Sequence, residues 1–294
     1  MGVGTPNLAV TGFRRRHLLD KVMTGLIYVA VVLAVTPLVL IVGDVVVQGG
    51  AEMSLTFLTH LPTPVGVAGG GIGNAIEGSA ILVGLATLIA VPIGVGAGVY
   101  FSEWPESKLS FVSSFMNDVL AEFPSITLGI FVYIIIVLAT RTFSAISGGV
   151  ALAIIMVPIV ARTTEESLKI VPTSLREASL ALGIPRWKTV LRIVISTGRS
   201  GLVTGILLAI ARATGETAPL LLTAFGSNYY FGGNLWSPIA ALPLLIYTYG
   251  ISPFQDWHSA AWGAALVLVG FMLLLNLSLK LLIGRKFAGV RAEI

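Results

Sequence analysis

Apolar and polar positions in this chain separate into long blocks rather than alternating at short period. Apolar runs occupy about residues 22–47, 79–101, 117–140, 147–165, 199–222 and 259–283. Each approaches the roughly 20 residues a helix needs to cross a bilayer core, so the pattern predicts six transmembrane helices. The first run far exceeds the apolar core of about 7–15 residues found in a cleaved signal and is read as a retained span. Between the runs, residues 48–78 are rich in Gly and Pro and predict a flexible external loop. A polar stretch covers about 162–198. Residues 223–258 hold Tyr229, Tyr230, Phe231, Trp236 and Trp257, with a short apolar piece at 239–249 interrupted by Pro243. That piece is too short to cross and predicts a re-entrant or interfacial segment, its aromatics forming a membrane-interface belt.

Composition supports this picture. Of 294 residues, 55% are hydrophobic and 11% charged, with a mean hydropathy of +0.94. A soluble domain carries about 25% charged residues, so an ordinary soluble enzyme and a disordered chain are both excluded. Cysteine is absent and the three histidines, His17, His60 and His258, have no metal-ligand spacing. With an inside N-terminus, all but two of the 18 lysines and arginines fall on the cytoplasmic side. Arg141 falls outside and Arg212 within the fifth span. This asymmetry predicts cytoplasmic N- and C-termini, giving a basic N-terminus at 1–21, a six-span domain at 22–284 and a tail at 285–294.

The richest local signal is the cytoplasmic stretch V-P-T-S-L-R-E-A-S-L-A-L-G-I-P-R-W-K at 171–188. Ser174 and Glu177 have capping-box spacing, and Leu175, Ala178 and Leu182 recur at helical spacing. Gly183 supplies a left-handed stop and Pro185 starts a new helix. Two short helices are therefore expected to meet at a Gly-x-Pro corner. A helix-corner-helix could face DNA, but this one is tethered to the bilayer at both ends, so nucleic acid is not expected. An amphipathic loop resting on anionic lipid is the plainer alternative.

The second signal is a charge pair in the fifth span. Arg212 lies near the middle of 201–222, with Glu216 four residues on and so on the same helical face. A central charge costs about 2.5–3.5 kcal/mol on insertion scales. Such groups usually face a bundle interior or a water-filled path. The pair could fix helix positions as a buried ion pair. It could also meet a passing anion, since a guanidinium fork suits a tetrahedral oxyanion while the carboxylate prevents trapping. Gly201, Gly205, Ala209 and Ala213 form a small-residue stripe for close helix packing, and Pro219 predicts a kink. Asp118 and Glu122 read as a solvated start to the third span. Glu165 and Glu166 are expected to pair with Arg162 or Lys169, and Arg141 reads as an interfacial anchor.

Glu177-Ala178-Ser179, Gly183 and Ile193 resemble the E-A-A-x3-G-x9-I signature of ABC importer permeases, with Ile195-Ser196 where the broader pattern ends in Leu-Pro. The runs V-P-I-V-A-R-T-T-E at 157–165 and A-I-A-R-A-T-G-E-T-A-P-L-L at 209–221 are similar to those of the phosphate-specific permease subunits of that family, as are N-D at 117–118, P-S-I at 124–126 and S-P-F at 252–254. The resemblance covers roughly 75–285. It implies an all-α integral membrane fold with six transmembrane helices and a coupling helix in the loop at about 162–198 (the type I ABC importer permease fold). It implies an inner-membrane subunit that passes inorganic phosphate by alternating access. Arg176, Glu177, Ala178 and Gly183 would couple to an ATPase, and Arg212, Glu216 and Thr217 would line the route. The implied partners are a homologous sister permease, a cytoplasmic ATPase dimer, an external phosphate-binding protein, phosphate and membrane lipid. No cofactor is expected in this chain itself, ATP and Mg binding the partner ATPase. A permease of the same fold for another oxyanion, or an ion-coupled carrier using Glu216, are the alternatives. No G-x-x-x-x-G-K-[ST], G-x-S-x-G, H-E-x-x-H or dinucleotide fingerprint occurs, so neither catalytic nor metal-binding residues are expected. The Gly-rich run at 69–73 lacks the lysine of a phosphate loop.

Overall fold

A computed structural model describes residues 8–67 and 69–290, with side chains described for 15–67 and 69–278. Of the expected cytoplasmic basic residues, Arg14, Lys280, Arg285, Lys286 and Arg291 lie outside the described side chains. The elements run α1 (Leu8–Ala51), α2 (Leu55–Thr59), α3 (Gly73–Glu103), α4 (Lys108–Glu122), α5 (Ser125–Val132), α6 (Leu138–Thr140), α7 (Ala145–Lys169), α8 (Thr173–Ala181), α9 (Arg186–Thr189), α10 (Ile195–Thr214), α11 (Ala218–Thr223), α12 (Leu242–Gly250) and α13 (Gln255–Val290). One π-turn, Tyr133–Val137, joins α5 to α6, and another, Val190–Val194, joins α9 to α10. Five of these helical runs are long and apolar enough to cross a membrane, or six if the bent pair Lys108–Glu122 and Ser125–Thr140 counts as one span.

The bent pair revises the third expected span. The apolar run at 117–140 is not one rod: α4 ends at Glu122, and the chain turns by 105° before continuing through Ser125–Thr140. Phe123 and Pro124 are extended at the break. Proline lacks the N–H and disfavours a helical residue before it, so an apolar run can pass through it while the helix cannot. Asp118 and Glu122 consequently sit on α4, before the crossing segment begins.

The core is the pair α3 and α7, which approach through glycines. A side chain at Gly94 would meet Val160 at 2.7 Å, one at Gly98 would meet Thr164 Cβ at 2.6 Å, and one at Gly148 would meet Leu82 at 2.8 Å or less. Small residues let the backbones close in, the usual device where lipid removes the hydrophobic drive between helices. Leu82, Leu152, Met156 and Val160 fill the remaining space and are fully buried. The stripe Gly201, Gly205, Ala209 and Ala213 lies against α7 as expected: Gly201 faces Ser167, Gly205 faces Thr163, and Ala209 and Ala213 are buried.

The outer ends are tied together by polar contacts. Ser144 and Ser147 form a reciprocal capping box on α7. The Ser144 N–H is shared with Thr223 O at the end of α11, and the next N–H groups, on Ala145 and Ile146, donate to Ser237 O and Leu235 O of the following loop, at 3.0–3.1 Å. This satisfies donors a helix start otherwise leaves open. The expected re-entrant piece is α12, whose first N–H, on Leu242, donates to Ser79 Oγ of α3 at 2.8 Å. The glycine-rich segment, read as flexible, is instead closely packed. Gly71 N donates to Leu61 O and Ile72 N to Phe57 O, and a side chain at Gly71 would strike the Phe57 carbonyl at 2.5 Å. Glycine is needed there for close approach to α2 rather than for mobility. By contrast, among the described residues α1 touches the body near its C-terminal end, through Val45 and Gly49, the latter against Trp262 and Leu266 of α13.

Candidate functional site

The expected site residues fall into two groups at opposite ends of α10. The first is at its outer end. The helix stops at Thr214, Gly215 N returns to Arg212 O at 3.1 Å and Glu216 N to Ala213 O at 3.2 Å, and α11 restarts at Ala218. Glu216 therefore lies in a break, not on the next helical turn, which corrects the expectation of a continuous fifth span. Pro219, at the start of α11, packs against Gly129 of α5 rather than kinking an unbroken helix. Glu216 nevertheless reaches back, its Oε1 lying 3.6 Å from Arg212 Nε. The break keeps the pair but uncouples it from helical geometry.

The two partners are in different surroundings. The Arg212 side chain is 58% exposed and that of Glu216 only 15%. Among the described residues, no hydrogen bond is made to the Arg212 guanidinium, so its terminal N–H groups are unengaged. The cation sits in the last turn of α10, where the carbonyl end of the helix favours positive charge. Thr217 is half-buried and caps α11 through its carbonyl, which accepts from Leu221 N at 3.2 Å. Its hydroxyl makes no hydrogen bond among the described residues, and nothing joins it directly to Arg212. A neighbouring cleft of about 520 Å³ touches α10 at Thr214, but its walls are mainly apolar, with Val83, Leu88, Val267 and Phe271, and the hydroxyls of Thr87 and Thr214 are bonded to backbone carbonyls of their own helices.

The second group is the corner after α7. α8 and α9 form where the sequence places them, and Gly183 has φ +77°. Gly183 N bonds Leu180 O at 2.9 Å and Ile184 N bonds Ser179 O at 3.2 Å, which is a Schellman ending. The expected capping box does not form: Pro172 occupies the N-cap, so Ser174 lies inside the helix. Glu177 and Ala178 are exposed on the outer face of the corner. The Ser179 and Thr189 hydroxyls, both buried, bond at 2.8 Å and hold the two short helices together.

Arg176 points the other way. Its Nε and Nη2 donate to Glu103 Oε1 at 3.1 and 2.9 Å, Nη1 to Val171 O at 2.6 Å and Nη2 to Leu168 O at 2.9 Å. All its nitrogens are engaged inward, so it anchors the corner rather than presenting a surface. Arg186 donates to the Glu103 carbonyl and lies 4.8 Å over the Trp104 ring. Glu103, Trp104 and Arg186 were not singled out by the sequence. The available signal was an acidic residue ending an apolar helix, where the helix dipole disfavours it. Nearby, Glu165 accepts from Arg162 at 3.3 Å and Lys169 at 2.6 Å, as expected of those positions.

A family model for binding-protein-dependent transport system inner membrane components matches residues 90–287. The chain is 45% identical over 250 residues to the phosphate transport system permease protein PstA of Yersinia pestis, covering 85% of this chain and 84% of that one. It is 42% identical over 275 residues to the PstA of Haemophilus influenzae, covering 93% and 96%. A probable PstA from Methanocaldococcus jannaschii is 39% identical over 257 residues, covering 86% and 90%. Among solved structures, a chain of the inward-facing MetNI methionine ABC transporter matches with a TM-score of 0.60 at 19% identity, covering 73% of this chain and 96% of that one. That likeness supports the fold alone: a type I ABC importer permease. The chain is a multi-pass membrane protein that belongs to the family of binding-protein-dependent transport system inner membrane components and, within it, to the PstA permeases.

Proposed function

We propose that this chain is the permease subunit that passes inorganic phosphate inward in an ATP-driven importer. The observation that carries the reading is Arg212, a cation at a helix break within an apolar run whose terminal N–H groups no described residue engages. A planar fork of this kind matches a tetrahedral oxyanion. Glu216, 3.6 Å away, holds the fork in place and moderates its field, so that the anion is met without being trapped. Relatives named as phosphate transport permeases, at 39–45% identity, supply the substrate.

The chain performs no bond chemistry. It pairs with a homologous sister permease in the inner membrane, among lipid, with both termini cytoplasmic. An external phosphate-binding protein delivers the substrate. A cytoplasmic ATPase dimer, which carries the ATP and Mg, docks on the exposed Glu177–Ala178 face of the corner. Closure of the ATPase moves the corner, rearranges the spans and opens the Arg212 region outward; hydrolysis resets it. Uptake of labelled phosphate into proteoliposomes holding both permeases and the ATPase tests this, with binding protein outside and ATP inside. Uptake should need ATP and resist excess sulfate and molybdate. Uptake indifferent to ATP but abolished by collapsing the ion gradient would make the chain a secondary carrier. Displacement by sulfate or molybdate would change the substrate.

A further inference from the structure

The corner that would receive the ATPase must pass its motion to the spans, and its covalent connections reach α7 and α10 but not α3. On one side it leaves α7 through a turn at Ile170 and Val171; on the other it enters α10 through the π-turn Val190–Val194. The connection to α3 is non-covalent. Glu103 ends α3 with its side chain only 4% exposed. Burial and the carbonyl end of a helix both work against a carboxylate there. Arg176 offsets this with two donors, and its other contacts close the Leu168 carbonyl in the last turn of α7 and the Val171 carbonyl just beyond it. Arg186, the first residue of α9, bonds the backbone carbonyl of the same Glu103 and lies over Trp104. Glu103 thus ties the end of α3 to both helices of the corner, its carboxylate through Arg176 to α8 and the end of α7, and its backbone carbonyl through Arg186 to α9.

We propose that Glu103 is a positioning residue for transport: through Arg176 it makes α3 and α7 move with the corner, so that each ATP hydrolysed is converted into a rearrangement of the spans. Buried ion pairs contribute little net stability compared with apolar packing, and their best-attested use is to specify one arrangement over another. A pair with one partner on the moving element and the other on the core helix suits that use.

The inference rests on the ATP-driven permease reading, and the test separates the two. The complex of both permeases and the ATPase is reconstituted with binding protein, and phosphate uptake and ATP hydrolysis are measured together. E103Q keeps the size and a carbonyl acceptor but removes the charge. It should assemble and hydrolyse ATP within about twofold of wild type, while phosphate moved per ATP falls about tenfold, the scale of one lost charge-assisted hydrogen bond. An unchanged ratio overturns the inference, as does loss of ATPase assembly with the ratio intact in the residual complex. A second measurement does not depend on that variant folding well. The chain has no cysteine, so Glu103→Cys with Arg176→Cys, in cysteine-free partners, can be joined by a bis-methanethiosulfonate spacer and released with dithiothreitol. The joined form should regain coupling and the released form lose it; equal ratios in the two forms overturn the proposal. A wild-type complex without ATP-driven uptake would fail the permease reading instead.

Discussion

Arg212→Gln should separate transport from folding. The Arg212–Glu216 pair is 3.6 Å apart, which at an effective dielectric of about 20 corresponds to a bare attraction of about 4–5 kcal/mol. That figure overstates its contribution to stability, because the arginine is 58% exposed. Pairs with one solvated partner are typically worth about 1 kcal/mol or less. The fold should therefore lose little. Transport should lose much more. Two charge-assisted hydrogen bonds from the fork to an oxyanion are worth about 3 kcal/mol or more together, so uptake should drop at least about a hundredfold. Arg212→Lys, which keeps the charge but not the fork, should fall between. The assay is initial-rate labelled-phosphate uptake in reconstituted complexes, with thermal stability in detergent measured on the same samples. Wild-type uptake in Arg212→Gln, with a large loss of stability, would assign the pair to helix positioning and refute the anion contact.

Glu216→Gln should free the fork from its counter-charge; the concentration for half-maximal uptake should fall and the maximal rate with it, as release slows, which a full saturation curve would reveal. Glu177→Lys, on the exposed face of α8, should abolish ATPase co-purification while leaving membrane insertion intact, and normal co-purification would remove that face as the docking site. Gly183→Ala forces a side chain into φ +77°, a strain of about 1–2 kcal/mol; it should loosen the corner, read as faster hydrogen exchange at 180–186 and weaker ATPase binding. Gly205→Leu drives bulk into Thr163 at the α10–α7 contact. Overpacking of about 1–3 kcal/mol should lower the melting temperature, and an unchanged melting temperature would show that the stripe is not a packing surface.

What was legible in the sequence was whatever depends on local pattern. Long apolar runs marked the crossing helices, Gly183 and Pro185 marked the corner, and the four-residue small-residue stripe on α10 found its partner in α7. What was not legible depends on competition between local signals or on distant partners. Hydropathy ran straight through Pro124 and Gly215, yet in both places the backbone breaks, because apolarity does not report whether helical hydrogen bonds can continue. Ser174 and Glu177 had capping-box spacing, but Pro172 took the cap two residues earlier than that spacing requires. Glycines at 70–73 looked mobile because their composition is that of a linker, whereas their role is to admit neighbouring carbonyls. Glu103 meets Arg176 across 73 residues, a pairing no local spacing encodes.

The two candidate sites are connected by the geometry of one element. From Arg186 to Thr214 the chain is helical without interruption apart from the π-turn at Val190–Val194. Twenty-nine residues at a rise of about 1.5 Å span roughly 43 Å, more than the thickness of the hydrocarbon core. The same rod therefore carries Arg186, clamped to α3 beneath the corner, and Arg212, open at the far end. A π-turn near its base marks where it can bend, while the Gly201 to Ala213 stripe keeps the rest of it locked to α7. Motion of the corner then has two routes outward: through Glu103 into α3 and α7, and along α10 itself. Because α7 packs against both, the routes converge, and the break at Gly215–Thr217 is the first place where the rod can yield relative to α11 and α5. Arg212 lies at that point. Were the rod to shift against α11, a cation on it with its counter-charge on the adjoining break would change its surroundings, as the proposed passage of an anion past Arg212 requires.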